Sequence, residues 1–130
     1  MISPAAGERV ESLITDALSK GAQILAGQFY VQGAVVQPIV LGGVTRDMDI
    51  YYQESFGPVV TLFEFDTNEE AIRLANDTEY GLVSSVFSEN IAAALAVARK
   101  IRSGSCHING ATVHGNVITA TRRTELTASR

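Results

Sequence analysis

From residue 59 onward the chain alternates short apolar runs with helical runs, and that alternation limits the folds open to it. Residues 59–65 are apolar and rich in β-formers, as a buried strand requires. Thr67-Asn68-Glu69-Glu70 follows as a capping box: the Thr67 hydroxyl can accept from the Glu70 amide while the Glu70 side chain reaches back. Ala71, Ile72, Leu74 and Ala75 continue as a helix ending near Asn76, and Tyr80-Gly81-Leu82 turns the chain into a strand over 83–87. Ser88 is the expected cap of the next helix, whose apolar face is Ile91, Ala94, Leu95, Ala98 and Ile101. Arg99, Lys100 and Arg102 are expected in its last turns, where cations are favoured, with Gly104 ending it. Residues 105–109 make a last short strand, and Asn109-Gly110 is a strong turn signal. A β-α-β-α-β run of this kind predicts parallel strands joined by right-handed crossovers.

The half before it is less regular. Ser3 and Pro4 suit an N-cap and a first helical position, and Val10, Leu13, Ile14, Ala17 and Leu18 recur at helical spacing up to Gly21. A strand is expected over 22–26, a turn-rich connection over 27–33 around Phe29 and Tyr30, and a second strand over 35–41. Pro38 lies inside that second strand and cannot donate to a central ladder, so the strand is expected at an edge or at a bulge. Gly42-Gly43 breaks it, and residues 45–52 read as a loop or short turn.

One loop has the composition of a site. Glu54-Ser55-Phe56-Gly57-Pro58 joins the two halves. Gly57 permits backbone shapes other residues avoid, and Pro58 fixes φ and removes a donor. An acid and an aromatic beside so stiff a turn are placed to hold a ligand, and equally suit a solvated loop before a buried strand. Cys106 with His107 and His114 raises a metal site or a cysteine–histidine nucleophile. Cys106 and His107 are strand neighbours, so their side chains face opposite ways, and a buried strand cysteine reads as a small hydrophobe. His107 reads as a packed or hydrogen-bonded strand residue; His114, in a loop, is the better candidate for touching a ligand.

The bulk properties narrow the classes. The chain has 130 residues, 46% hydrophobic and 18% charged, with a net charge of -4. That is one domain's worth, able to bury about two-thirds of its unfolded surface. The charge offers no footprint for nucleic acid and no basic face for an anionic membrane. The single cysteine excludes an internal disulfide and suits a reducing, cytoplasmic compartment. No stretch is long enough to span a bilayer, and residues 1–4 lack the charged-then-apolar pattern of a leader. No C-x-x-C, P-loop, G-x-G-x-x-G or H-E-x-x-H occurs, and no metal site is expected. Asn76-Asp77-Thr78 matches a glycosylation sequon and reads as chance.

Four motifs in order carry a family resemblance: Gln37-Pro38 with its following strand, Glu54-x-Phe56-Gly57-Pro58-Val59, Asn76 with Tyr80-Gly81-Leu82, and residues 104–109. Residues 1–116 resemble the C-terminal part of the catalytic domain of aldehyde dehydrogenases, and residues 103–110 are most similar to members acting on aromatic aldehydes, such as salicylaldehyde or vanillin dehydrogenases. The resemblance implies an α/β fold, a partial catalytic domain over 1–116 with a mostly parallel sheet and crossover helices; residues 117–130, rich in Thr, Ala and Arg with few apolar anchors and no period, read as a divergent, disordered tail. It implies oxidation of an aldehyde through a cysteine thiohemiacetal, with hydride passing to NAD or NADP. It implies that Glu54 bonds the nicotinamide ribose hydroxyls, a diol that a carboxylate suits, and that Phe56 packs on the nicotinamide end. Asn109, Thr112, Val113 and His114 would line the aldehyde pocket.

The departures matter too. In the family the nucleophilic cysteine, the oxyanion Asn, the general-base Glu and the dinucleotide-binding domain lie upstream of the stretch matching Ser3-Pro4. Cys106 matches a strand position instead. The family's downstream Pro-Phe-Gly-Gly segment and oligomerisation strand have no match in residues 117–130, as a frameshift or truncated gene would produce. The chain alone is therefore expected to be inactive and to bind no cofactor, while the parent family implies an aldehyde substrate, NAD or NADP and a homo-oligomer. The alternative is a non-enzymatic α/β module that self-associates or binds a partner.

Overall fold

Helix α1 (Pro4–Ser19) starts where its cap dictates: the Ser3 side chain accepts from the Ala6 amide at 3.2 Å, and Pro4 takes the first turn. Its buried face is Gly7, Val10, Leu13, Ile14 and Ala17. The computed structural model describes residues 1–113, which form two units, Met1–Glu64 and a second from Phe65. His114, expected at the aldehyde pocket, and the tail over 117–130 fall outside the described residues.

In the first unit, α1 packs on a three-stranded sheet of β1 (Gln23–Gly27), β4 (Ile39–Gly42) and β5 (Val59–Leu62) in the order β1-β4-β5. Strand β4 is antiparallel to β1 and parallel to β5, with Ile39 opposite Val59 and Gly42 opposite Leu62. A two-residue-stranded hairpin, β2 (Val31–Gln32) and β3 (Val35–Val36), lies between β1 and β4 in the chain. Ile14, Leu41, Met48 and Val10 are the largest fully buried side chains, each contributing roughly 1.5–3 kcal/mol of burial.

Three expectations change here. The strand over 35–41 is split at Gln37-Pro38, and its second half is the central strand, not an edge. Pro38 sits just before the first ladder residue, so its missing N–H costs no ladder bond; Ile39 donates to the Pro58 carbonyl at 3.0 Å. The bulge falls on β1, between Ile24 and Ala26. Residues 49–52 form a short helix, α2 (Asp49–Tyr52), seated by buried Met48 and Ile50 and by the Asp49 amide donating to Asp16 Oδ2 at 2.9 Å. Strand β5 buries one face only: Val60 and Leu62 are 58% and 52% exposed.

The second unit contains α3 (Asn68–Asn76), β6 (Val83–Val86), α4 (Ile91–Ala98) and β7 (Ser105–Ile108). Strands β6 and β7 pair in parallel, Val83 with Ser105 through Val86 with Ile108, with α4 as the crossover. The expected capping box half forms. Thr67 Oγ1 accepts from the Glu70 amide at 3.2 Å, but Glu70 Oε2 accepts from the Asp66 amide at 3.1 Å, one residue before the cap. The α4 cap is Asn90, which accepts from the Ala93 amide at 3.0 Å; Ser88 instead accepts from the Asn90 amide at 3.1 Å. Helix α4 ends at Ala98, so Lys100 and Arg102 lie beyond it, because Asn76 captures that connection: its Nδ2 donates to the Lys100 carbonyl at 2.9 Å and its Oδ1 accepts from the Arg102 amide at 2.7 Å. Ala94, Ala98 and Cys106 are the buried apolar residues of this unit among the described residues.

Candidate functional site

The loop between α2 and β5 is shaped by α1. Arg9 forks across two successive carbonyls: Nη2 donates to Glu54 O at 2.8 Å and Nη1 to Ser55 O at 3.0 Å. The next residue, Phe56, takes φ 48°, a left-handed conformation that a bulky side chain adopts only when its surroundings impose it. Gly57 then passes so close to α1 that a Cβ there would lie 2.6 Å from Val10 Cγ2. Pro58 leads into β5.

The side chains so placed face solvent. Phe56 is 76% exposed and Glu54 is exposed. The Glu54 carboxylate makes no hydrogen bond or ion pair within the described residues, although the backbone on which it stands is fixed. Phe56 and Arg9 border an open groove of about 580 Å³, lined also by Met1, Ile2, Ala6 and Ser55. A free, acceptor-only carboxylate suits a vicinal diol, which presents two hydroxyl donors, and an exposed aromatic ring offers a face to a flat heterocycle. These residues fit the ribose–nicotinamide end of a dinucleotide.

The other expected pocket residues lie in the second unit. Asn109 ends β7 at φ 52°. Both ends of its amide are used: Oδ1 accepts from the Ser88 amide at 2.8 Å and Nδ2 donates to the Ser88 carbonyl at 2.9 Å. Its own amide donates to Val86 O at 2.9 Å, and Ser85 Oγ donates to Gly110 O at 2.7 Å. Asn109 thus ties the ends of β6 and β7 together. Thr112 and Val113 follow on the exposed turn, Val113 being 79% exposed.

Cys106 is 4% exposed, and the polar atom that its thiol approaches is the His107 carbonyl at 3.9 Å. A nucleophilic thiol needs access and an electropositive neighbour, and this one is packed as a hydrophobe. Among the described residues no three His, Cys, Asp or Glu side chains gather as a metal site.

Sequence reading missed Arg9 and the two asparagine clamps. Asn76 and Asn109 stand where asparagines are common, at a helix end and a turn, which was a usable signal. Arg9 sends none: it precedes Val10 on α1, and its partners are 45 and 46 residues away.

An α/β segment that offers a stiff Glu-x-Phe-Gly-Pro loop matches one family in particular. Residues 1–120 match the aldehyde dehydrogenase family, and the chain belongs to it. It is 45% identical over 114 residues to vanillin dehydrogenase of Pseudomonas sp. strain HR199, covering 88% of this chain and 24% of that protein. It is 45% identical over 113 residues to salicylaldehyde dehydrogenase of Pseudomonas putida, covering 87% of this chain and 23% of that protein. The crystal structure of a salicylaldehyde dehydrogenase from Pseudomonas putida G7 complexed with salicylaldehyde superposes with a TM-score of 0.83 at 45% identity, covering 89% of this chain and 24% of that one. The chain spans about a quarter of the length of the relatives it matches.

Proposed function

We propose that this chain is the part of an NAD(P)-dependent aldehyde dehydrogenase that supplies the nicotinamide-ribose wall of the cofactor site and a turn of the aldehyde pocket. The observation that carries the reading is a Glu54 carboxylate without a hydrogen bond or ion pair among the described residues, on a backbone that Arg9 of α1 holds by two hydrogen bonds, with Phe56 exposed beside it. In this reading Glu54 accepts the two ribose hydroxyls and Phe56 covers one side of the nicotinamide ring, orienting it and excluding water from that face. The cofactor, when bound, accepts a hydride. Thr112 and Val113 border the aldehyde, on a turn that Asn109 holds, and the family match extends the same role to His114. Relatives named for vanillin and salicylaldehyde support an aromatic aldehyde as substrate. The single cysteine is packed away in β7, so the chain by itself turns over no aldehyde, and with one wall of the site it holds cofactor no more tightly than the millimolar range.

The test is an NMR titration of the ¹⁵N-labelled chain with NAD⁺ and NADP⁺. Amide shifts at residues 54–57 that vanish in Glu54→Ala support the reading. Identical titrations of wild type and variant refute it, as does Cys106-dependent aldehyde oxidation by the chain alone.

A second reading, a self-associating module, is favoured by the exposed apolar residues that flank or lie on the strands: Leu82 and Phe87 at 86% and 69% around β6, and Val60 and Leu62 on β5. A strictly monomeric chain in sedimentation at tens of micromolar would exclude it.

A further inference from the structure

We infer that Arg9 is the positioning residue of the cofactor loop, acting on Glu54 and Phe56 through their backbone and not by touching the ligand; the functional part of this inference rests on the role proposed above for Glu54. Three observations converge. The two terminal guanidinium nitrogens each donate to a carbonyl, Nη2 to Glu54 O at 2.8 Å and Nη1 to Ser55 O at 3.0 Å. The residue that follows those carbonyls is the one with a positive φ, Phe56. On the next helix position Val10 closes the space under Gly57, leaving no room for a Cβ. Arg9 and Val10 thus hold the loop at consecutive points, one by hydrogen bonds and one by contact.

The chemistry needs an arginine. Its planar fork can span two adjacent carbonyls at once, whereas a lysine ammonium is a point charge on a flexible stem. Pinning both carbonyls fixes the peptide planes on either side of Ser55. That leaves Phe56 to absorb the turn and keeps the Glu54 side chain on the solvent side. Without the fork, Phe56 is free to leave the left-handed region, which a bulky residue keeps only where its surroundings impose it, and the aromatic and the acid lose their mutual geometry.

The experiment compares the full chain with Arg9→Lys, Arg9→Gln and Glu54→Ala, reading three quantities by NMR. These are the left-handed signature of Phe56 (its backbone carbon shifts and strong intraresidue HN–Hα NOE), the order parameters of residues 54–57, and the NAD⁺ titration. Arg9→Gln is expected to erase the Phe56 signature and drop the order parameters from about 0.85 to below about 0.6. It should weaken the NAD⁺ response roughly tenfold, as loss of hydrogen bonds from a charged group predicts, with the thermal midpoint of the chain little changed. Arg9→Lys keeps the charge but not the fork and is expected to fall close to Arg9→Gln. If Arg9→Lys behaves as wild type while Arg9→Gln fails, charge alone is at work and the inference is overturned. It is equally overturned if both variants keep the Phe56 signature. If Glu54→Ala leaves the NAD⁺ response unchanged, or wild type shows none at residues 54–57, the cofactor reading falls. The Phe56 signature then decides the Arg9 clamp by itself.

Discussion

Gly57→Ala is the perturbation that reads the contact between α1 and the Glu54 loop most directly. Gly57 does not need a positive φ, so an alanine backbone is allowed there, and the usual gain from a less flexible unfolded chain is about 0.4–1 kcal/mol. Against it stands a collision. The new methyl would lie 2.6 Å from Val10 Cγ2 and 3.3 Å from Cγ1, where carbon atoms rest about 3.5–4.0 Å apart. Val10 is 0% exposed, and a β-branched side chain on a helix has essentially one rotamer, so the loop must move by about 1 Å. Overpacking of this kind costs about 1–3 kcal/mol, and at the middle of the two ranges the collision wins by about 1.3 kcal/mol. Val10→Ala alone removes two methyls, about 1.6 kcal/mol at about 0.8 each, and leaves a cavity that brings its cost to about 2–3 kcal/mol. In the double variant the methyl on residue 57 occupies part of that cavity. The two costs should therefore fall short of their sum by about 1–2 kcal/mol. Urea unfolding of the four proteins, with equal slopes, measures the cycle. Additivity within about 0.5 kcal/mol, or a Gly57→Ala chain as stable as wild type, would refute the argument that the loop is packed against Val10.

Two further outcomes are expected. Asn109→Asp removes the donor to the Ser88 carbonyl at 2.9 Å and sets a carboxylate against it, for a loss of about 1–3 kcal/mol; urea midpoints should show that loss at neutral pH and its partial recovery once the carboxyl is protonated and can donate again. The Lys20 ammonium, 2.7 Å away, and then the Asp49 amide hold the Asp16 carboxyl below its ordinary 3.8, while Asp16 in turn raises Lys20 above 10.5. The Asp16 contribution is thus complete above its unfolded value and lost as pH falls through its lowered folded one; the Lys20 contribution is complete below 10.5 and lost as pH rises through its raised value. Both side chains keep contact with solvent, so the limbs are shallow and shrink with salt. Asp16→Asn should flatten the acid limb in a pH series of thermal midpoints, and an unchanged limb would contradict the linkage.

What could be read from the sequence was what short-range chemistry decides. The Ser3 and Thr67 caps bond the amides three residues on, as their side chains require, and the α1 stripe from Val10 to Ala17 is the buried face. The β6-α4-β7 crossover is present with parallel pairing. Failures began where a distant partner chose between local options. Pro38 looked like an edge marker, yet its position one residue before the ladder lets β4 sit at the centre of the sheet. Ser88 and Asn90 are both competent caps; Asn109 occupies the Ser88 backbone from 21 residues away, and Asn90 takes the helix. Residues 59–65 have the apolar content of a strand buried on both faces, but α1 gives the first unit a partner for one face only.

The site divides along the same line. Local chemistry left Glu54 and Phe56 equally suited to hold a ligand or to be solvated, and the Glu-x-Phe-Gly-Pro resemblance pointed to the cofactor. Nothing local could say whether the loop was merely solvated. The deciding fact is a helix residue 45 positions earlier, since a loop that solvent alone shaped would have no reason to hold Phe56 at φ 48° against an arginine fork. Asn109 shows the converse. The family resemblance set it at the aldehyde pocket, and the Ser88 clamp shows that both ends of its amide are bonded within the fold. Within the described residues the Glu54 carboxylate keeps its acceptors open on a backbone held by Arg9, whereas the Asn109 amide is already paired at both ends.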